Sequence, residues 1–291
     1  MKSLKQIWDR SLPRPVGEIG RRSVGNRKER WYIVTMRVPR TGCPIVMDSA
    51  GRNSLIYDEE VIPMGPVYEL NGYRLVDLTK VLDPATESRR CHLIRYNTGG
   101  PIPDFHTALD LTSHLGTHCE CPYHHFEDGA SVGDLPLTTF MGRALYVTLD
   151  LPENHQITGE DLEKALGDRV KEGDIVILDS PHKIPPFTPL TNSPDDHRLV
   201  IGEDSAKWFA AKNVKCVGFG DGVSIEDCEA NVKPFHDILM EKNIVFLEVL
   251  KNLEYLEKDV FFMSYAALPI VGADSCPVRA YALEGLPGFD K

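Results

Sequence analysis

Residues 114–124 read His114-Leu-Gly-Thr-His118-Cys-Glu120-Cys-Pro-Tyr-His124, and His125 follows at once, so four imidazoles and a carboxylate fall within twelve residues. Extended backbone sends alternate side chains to opposite faces, which places His114, His118, Glu120 and His124 together and turns Cys119 and Cys121 toward a core. A helix would pair His114 with His118 but rotate Glu120 away, and Gly116, Thr117 and Pro122 are poor helix residues, so the extended reading is preferred. Four residues of ideal strand span roughly 13 Å, too far for two imidazoles on one ion, so the chain must bend. Gly116 is where a bend costs least, and Pro122 should end the strand. Neutral imidazoles with one carboxylate are ordinary ligands for Zn²⁺, Mn²⁺ or Fe²⁺, and three protein ligands leave a position open for water or substrate.

Working outward, Ala144–Leu149, Asp174–Leu178, Lys215–Phe219 and Ile244–Leu247 are apolar runs suited to buried strands. Thr158 caps a helical pattern through Leu166, and a second helix over Glu203–Lys212 precedes the strand at Lys215. Recurring helix-then-strand spacing implies an α/β domain. Residues 1–72 read as a separate N-terminal accessory region for oligomerisation, made of a basic arm, a strand-like stretch at 30–38 and turn-rich sequence, ahead of a main domain over 73–291. Residues 183–196, rich in proline, read as a loop able to rim a pocket.

The formal charge of −11 makes the body a poor partner for nucleic acid or anionic membranes, although residues 1–30 carry nine Lys and Arg against three acids. No stretch approaches the roughly 20 apolar residues of a membrane span, and no secretory pattern follows the basic residues. Seven scattered cysteines without CxxC spacing argue for a reducing compartment, so a cytoplasmic protein is expected.

The His-Leu-Gly-Thr-His-Cys-Glu-Cys-Pro-Tyr-His segment resembles the His-x-Gly-Thr-His-x-Asp-x-Pro-x-His motif of the cyclase family of metal-dependent hydrolases, which includes bacterial kynurenine formamidase and isatin hydrolase. Ordered similarity continues through Val76-Asp-Leu-Thr, Gly173-Asp-Ile-Val-Ile-Leu, Val217-Gly-Phe-Gly-Asp-Gly, Phe235-His236-Asp-Ile-Leu with Leu247-Glu248-Val-Leu, and Pro269–Arg279. The resemblance implies a mixed-sheet, barrel-like swivelling β/β/α fold and a homodimer or homotetramer acting on a small molecule. It implies that His114, His118 and Glu120 bind a divalent ion, Zn or Mn, and that His124 is the general acid/base. His236 and Glu248 would then be ligands of a second ion or groups handling substrate and protons. Glu120 departs from the motif's Asp by one methylene, which moves the carboxylate outward by about 1.5 Å and bears on whether one or two ions are held.

The reaction implied is hydrolysis of a small amide, lactam or related acyl compound. Competing readings are a non-haem iron oxygenase, built on two His and one carboxylate, and a metal-dependent binding protein without turnover. A nucleotide deaminase is set aside because no Pro-Cys-x-x-Cys accompanies His118-Cys-Glu120. Gly218-Phe-Gly220-Asp-Gly222 lacks any phosphate-binding pattern and reads as a tight turn. Arg279 reads as structural, pairing with a carboxylate.

Overall fold

The computed structural model describes residues 20–24, 31–35, 46–47, 53–54, 65–100, 104–184, 195–225 and 229–291. The chain falls into two compact units, Met1–Ile62 and Pro63–Lys291. In the first, strands Gly20–Val24, Trp31–Thr35, Val46–Met47 and Asn53–Ser54 form an antiparallel meander in sequence order. The remainder of the basic arm, with Trp8, lies outside the described residues, as does most of the proline-rich loop.

The second unit is built on one ten-stranded mixed sheet. Its strands in chain order are β1 (Val67–Leu70), β2 (Tyr73–Asp77), β3 (His118–Glu120), β4 (Met141–Thr148), β5 (Ile175–Asp179), β6 (Cys216–Phe219), β7 (Val245–Glu248), β8 (Val260–Ser264), β9 (Ser275–Pro277) and β10 (Tyr281–Glu284). Across the sheet they run β9-β3-β7-β6-β5-β4-β8-β10-β2-β1. The four parallel strands, β4 to β7, are the four apolar runs read from sequence, and the outer pairs are antiparallel. Because β1 and β2 are already paired, the sheet begins at Val67, ahead of the 72/73 boundary read from the sequence.

Continuous apolar runs are expected where a sheet is covered on both sides, and the register shows why these strands need them. Val176, Leu178, Val217, Phe219 and Phe246 face one core, with Leu162, Phe209, Phe235 and Leu239 packed over them. Ile175, Ile177, Cys216, Val245 and Leu247 face a second core, which also takes Cys119, Cys121, Cys276 and Tyr265. The first core is roofed by α1 (Gly159–Ala165), α2 (Glu203–Lys212) and α3 (Glu229–Met240). Thr158 caps α1 as expected, its hydroxyl accepting from the Asp161 N–H while the Asp161 carboxylate accepts from the Thr158 N–H. The glycine-rich segment is a turn after β6, where Gly222 donates its N–H to the buried Asp179 carboxylate at 2.8 Å. Arg279 pairs with Asp77, the structural role read for it. Among the described residues no helix is long and apolar enough to cross a membrane.

After β3 the chain enters a single 3-10 turn, Pro122–His124, closed by the His125 N–H donating to Pro122 O at 3.1 Å and tied to the following loop by the Tyr123 N–H donating to Ala130 O at 3.1 Å. Gly129 lies against this turn so closely that a Cβ there would stand 2.6 Å from the carbonyl carbon and oxygen of Pro122. Gly129→Ala is therefore expected to cost about 1–3 kcal/mol through backbone overpacking, read as a lower urea midpoint with unchanged slope. A midpoint equal to that of the unsubstituted protein would show that the turn yields freely.

Candidate metal centre

The strand that carries the centre is short. Only His118 and Glu120 lie in β3, and they share the face that looks toward the helices, while Cys119 looks into the second core. Register places Glu248 of β7 opposite His118 and Phe246 opposite Glu120. Strand alternation thus places His118, Glu120 and the cysteines, but not the ends of the motif. His114 is brought in by a reversal at Gly116, whose φ of +59° lies in the left-handed region that favours glycine. His124 reaches the cluster from the 3-10 turn that Pro122 starts, not from an extended strand.

Glu120 is 4% exposed and sits at the middle. Its Oε1 lies 2.5 Å from His114 Nδ1 and 3.3 Å from His118 Nε2. Its Oε2 lies 3.8 Å from His236 Nε2 and 3.9 Å from His124 Nε2, and this buried oxygen has no hydrogen-bond partner among the described residues. Glu248 Oε2 stands 3.5 Å from His118 Nε2. His236, which sequence alone would put on a helix surface, is buried on α3 and packs edge-on against Phe246.

Tautomers argue for a cation. His118 donates from Nδ1 to Gly116 O at 2.8 Å, and His236 donates from Nδ1 to Val232 O at 2.7 Å. A carbonyl can only accept, so in each neutral ring the bare Nε2 lone pair is aimed at carboxylate oxygens. Lone pair against anion is repulsive unless a positive charge lies between. Two donor atoms each about 2.1 Å from one ion at a near-tetrahedral angle stand about 3.4 Å apart, and the His118–Glu120 and His118–Glu248 separations are 3.3 and 3.5 Å. Nδ1–H to backbone carbonyl is also the usual outer partner of a metal-binding imidazole. The His118, Glu120 and Glu248 donors fit a divalent ion, while His114 Nδ1 hydrogen-bonds Glu120 Oε1 at 2.5 Å and would exchange that proton for the ion. Donor atoms of His114, His118 and Glu120 lie within 4.8 Å of one another, as do those of Glu120, His236 and Glu248.

Thiolate ligation is not supported. Contact with Cys121 and burial hold the Cys119 thiol well above its usual range, and burial pushes Cys216 up to about 12.

Sequence reasoning missed Asp274. Its Oδ2 accepts from His114 Nε2 at 2.7 Å and stands 3.3 Å from His124 Nδ1, so one carboxylate holds two imidazoles of the motif. It lies 160 positions from His114, just before β9, whose pairing with β3 delivers it. Position before a Ser-Cys-Pro strand carries no mark of this role. His125 donates to Asp237 at 2.8 Å and stacks on His236 at the edge of the cluster.

Charge follows this wiring. Burial works to raise the Glu120 carboxyl, but contacts with His114, His118 and His236 outweigh it and hold it well below the usual range. Burial lowers His114, yet Glu120 and Asp274 together lift it above its ordinary value. His124 goes the other way: burial dominates and lowers it, so the ring is neutral near pH 7. A cavity of about 540 Å³ opens over the cluster and is walled in part by Ile225, Val232, Arg89 and Arg90.

The Cyclase family model matches residues 76–227, which contain His114, His118, Glu120 and His124. Kynurenine formamidase of Salinibacter ruber is 29% identical over 182 residues, spanning 60% of this chain and 77% of that protein. Kynurenine formamidase of Paracidovorax citrulli is 27% identical over 175 residues, with the same shares. Isatin hydrolase A of Ralstonia solanacearum has a similar fold, with a TM-score of 0.56 at 24% identity over 72% of this chain and 92% of that one. Isatin hydrolase A of Labrenzia aggregata gives 0.56 at 21% identity, covering 72% and 93%.

Metal uptake should show the sign of these charges. A His114 held protonated above its unfolded value stabilises the metal-free protein below about pH 6.5, and that contribution is lost as pH rises through the higher folded value. The ion must displace this proton, so affinity should rise between about pH 6 and pH 8 with proton release. At an ion concentration of 100 times Kd the melting temperature should rise by the equivalent of about 2.7 kcal/mol. Glu120→Ala should abolish that rise and Cys119→Ala should not; calorimetry across pH and thermal melts provide the check.

Proposed function

This chain belongs to the cyclase family, and from that premise we propose that it is a metal-dependent hydrolase that cleaves the C–N bond of a small amide, lactam or related acyl compound. The observation that carries the reading is Glu120, a buried carboxylate with bare imidazole nitrogens aimed at it and one oxygen unpartnered among the described residues. His114, His118 and Glu120 would hold one divalent ion, zinc or manganese. Glu120, His236 and Glu248 form an overlapping set that would suit a second. Kynurenine formamidases being relatives, an N-acyl aromatic amine is a reasonable first substrate class to test.

Bound there, a divalent ion supplies Lewis acidity that brings water toward deprotonation near neutral pH and polarises a carbonyl. His124 is the base. Its Nδ1–H points to Asp274, which leaves Nε2 facing the cluster and able to accept a proton from the attacking water. The lowered pKa keeps that nitrogen free at pH 7. After water oxygen bonds to the carbonyl carbon and the C–N bond breaks, the same proton goes from Nε2 to the leaving nitrogen, so the ring ends as it began. Asp274 fixes the tautomer throughout and also holds His114. Assembly as a homodimer or homotetramer is part of the same proposal.

Chelation should abolish hydrolysis of an amide and lactam panel, and Mn²⁺ or Zn²⁺ should restore it. His124→Ala should lower kcat by roughly 10²–10⁴ while metal content stays at the unsubstituted level. Full turnover in metal-free protein would remove the mechanism. Oxygen consumption with bound iron would favour the oxygenase instead.

A further inference from the structure

His125 neither holds an ion nor carries the catalytic proton in this centre, yet it sits where the strand-side loop and the helix meet. It follows directly on the 3-10 turn that presents His124, and the two rings lie 5.2 Å apart at 51°. Against His236 the geometry is different: 4.5 Å between centroids and only 11° between planes, a stacked pair at the short end of the range that aromatic rings prefer. His125 Nδ1 donates to Asp237 Oδ1 at 2.8 Å. The other oxygen of Asp237 pairs with Lys233, one turn earlier on α3.

Two consecutive residues of α3 therefore grip one ring, His236 against its face and Asp237 at its edge. Consecutive helical side chains diverge by about 100°, so a single ring makes both contacts only when seated in the angle between them. His236 has need of such a neighbour. Its Nδ1–H to Val232 O is a bond within α3, and it fixes the tautomer without fixing the plane of the ring. The plane is set by ring contacts: Phe246 packs edge-on at 4.7 Å, and His125 supplies the parallel face. An imidazole lone pair lies in the plane of its ring, so that plane decides whether Nε2 points toward Glu120 Oε2, 3.8 Å away, or past it.

Resting on the metal-dependent reading above, we propose that His125 is a positioning residue: clamped by Asp237, it holds the His236 ring in the plane that aims Nε2 into the set formed with Glu120 and Glu248. Asp237 acts on the centre only through His125, and Lys233 steadies Asp237. None of the three touches the reacting atoms in this arrangement.

Calorimetric titration of the full chain with Mn²⁺ tests this without turnover. His125→Ala should weaken the uptake that His236→Ala removes by about 10–100-fold, the loss usual when the support of a metal-binding imidazole is taken away. Asp237→Ala, at a side chain 30% exposed, should weaken the same uptake without hollowing the cluster. His125→Phe keeps a flat ring and should restore affinity to within about threefold, whereas His125→Leu, which fills space without a π face, should not. Unchanged affinity in both His125→Ala and Asp237→Ala, or rescue by leucine as complete as by phenylalanine, would overturn the proposal, as would Mn²⁺ uptake that His236→Ala leaves unmoved. If affinity follows the stack while no amide of the panel is hydrolysed, the hydrolase reading alone fails; if amides are hydrolysed and affinity ignores the stack, the positioning role alone fails.

Discussion

A carboxylate at 4% exposure, surrounded by four imidazoles and with one oxygen lacking a hydrogen bond among the described residues, is the constraint from which the rest of this domain follows. Burying Glu120 in an apolar sheet would cost several kcal/mol without compensation. Compensation by hydrogen bonds alone is incomplete, because backbone carbonyls at Gly116 and Val232 have already claimed the Nδ1–H groups of His118 and His236. Folding therefore gathers carboxylate and imidazole donors whose electrostatics suit a cation.

Holding such a cluster requires backbone that ordinary sequence would not adopt. Val249, immediately after Glu248, has a φ of +57°, a left-handed conformation that a β-branched residue avoids. Strain of this kind costs of order 1–3 kcal/mol and persists only where surroundings fix it. Thr117 supplies the fixing: its hydroxyl donates to Val249 O at 2.7 Å and accepts from the Lys80 N–H at 2.8 Å. The threonine between the two motif histidines is thus not a ligand but a brace that ties the start of β3 to the residue following Glu248 at the end of β7. Gly116 has the complementary task, turning the chain so that His114 comes back over the strand.

Sequence legibility follows from how local each part is. The four parallel strands are readable because burial on both faces leaves apolar runs, and α1 because Thr158 and Asp161 cap it. His118 and Glu120 are readable from alternation, since both stay in the strand. For His124 alternation gives the right neighbours through the wrong geometry: parity puts it on an extended face, whereas Pro122 begins a 3-10 turn that presents it. His236 comes through the family resemblance alone, because nothing in one chain says that α3 lies over the end of β3, whereas Glu248 is also marked by its place between Val-Phe-Leu and Val-Leu, where a buried carboxylate needs a partner. Asp274 has no such help. Its role exists only through the β9–β3 pairing, and an aspartate ahead of a short strand looks like any turn residue.

The extra methylene of Glu120 has a structural meaning. In the sequence it raises the question whether a longer arm spoils a carboxylate bridge. In the structure the two oxygens divide their neighbours, Oε1 toward His114 and His118, Oε2 toward His236 and His124. A shorter side chain from the same backbone would end about 1.5 Å nearer the strand. Its separation from His236, already 3.8 Å for Glu120, would lengthen unless α3 moved inward. But α3 is held by Phe235 and Leu239 in the first core and cannot follow cheaply, because interiors packed at crystal density resist shifts of that size. Glutamate at 120 is therefore matched to this spacing of helix and sheet. Side chain and helix position form one unit, and changing either alone moves the Glu120 carboxylate away from His236.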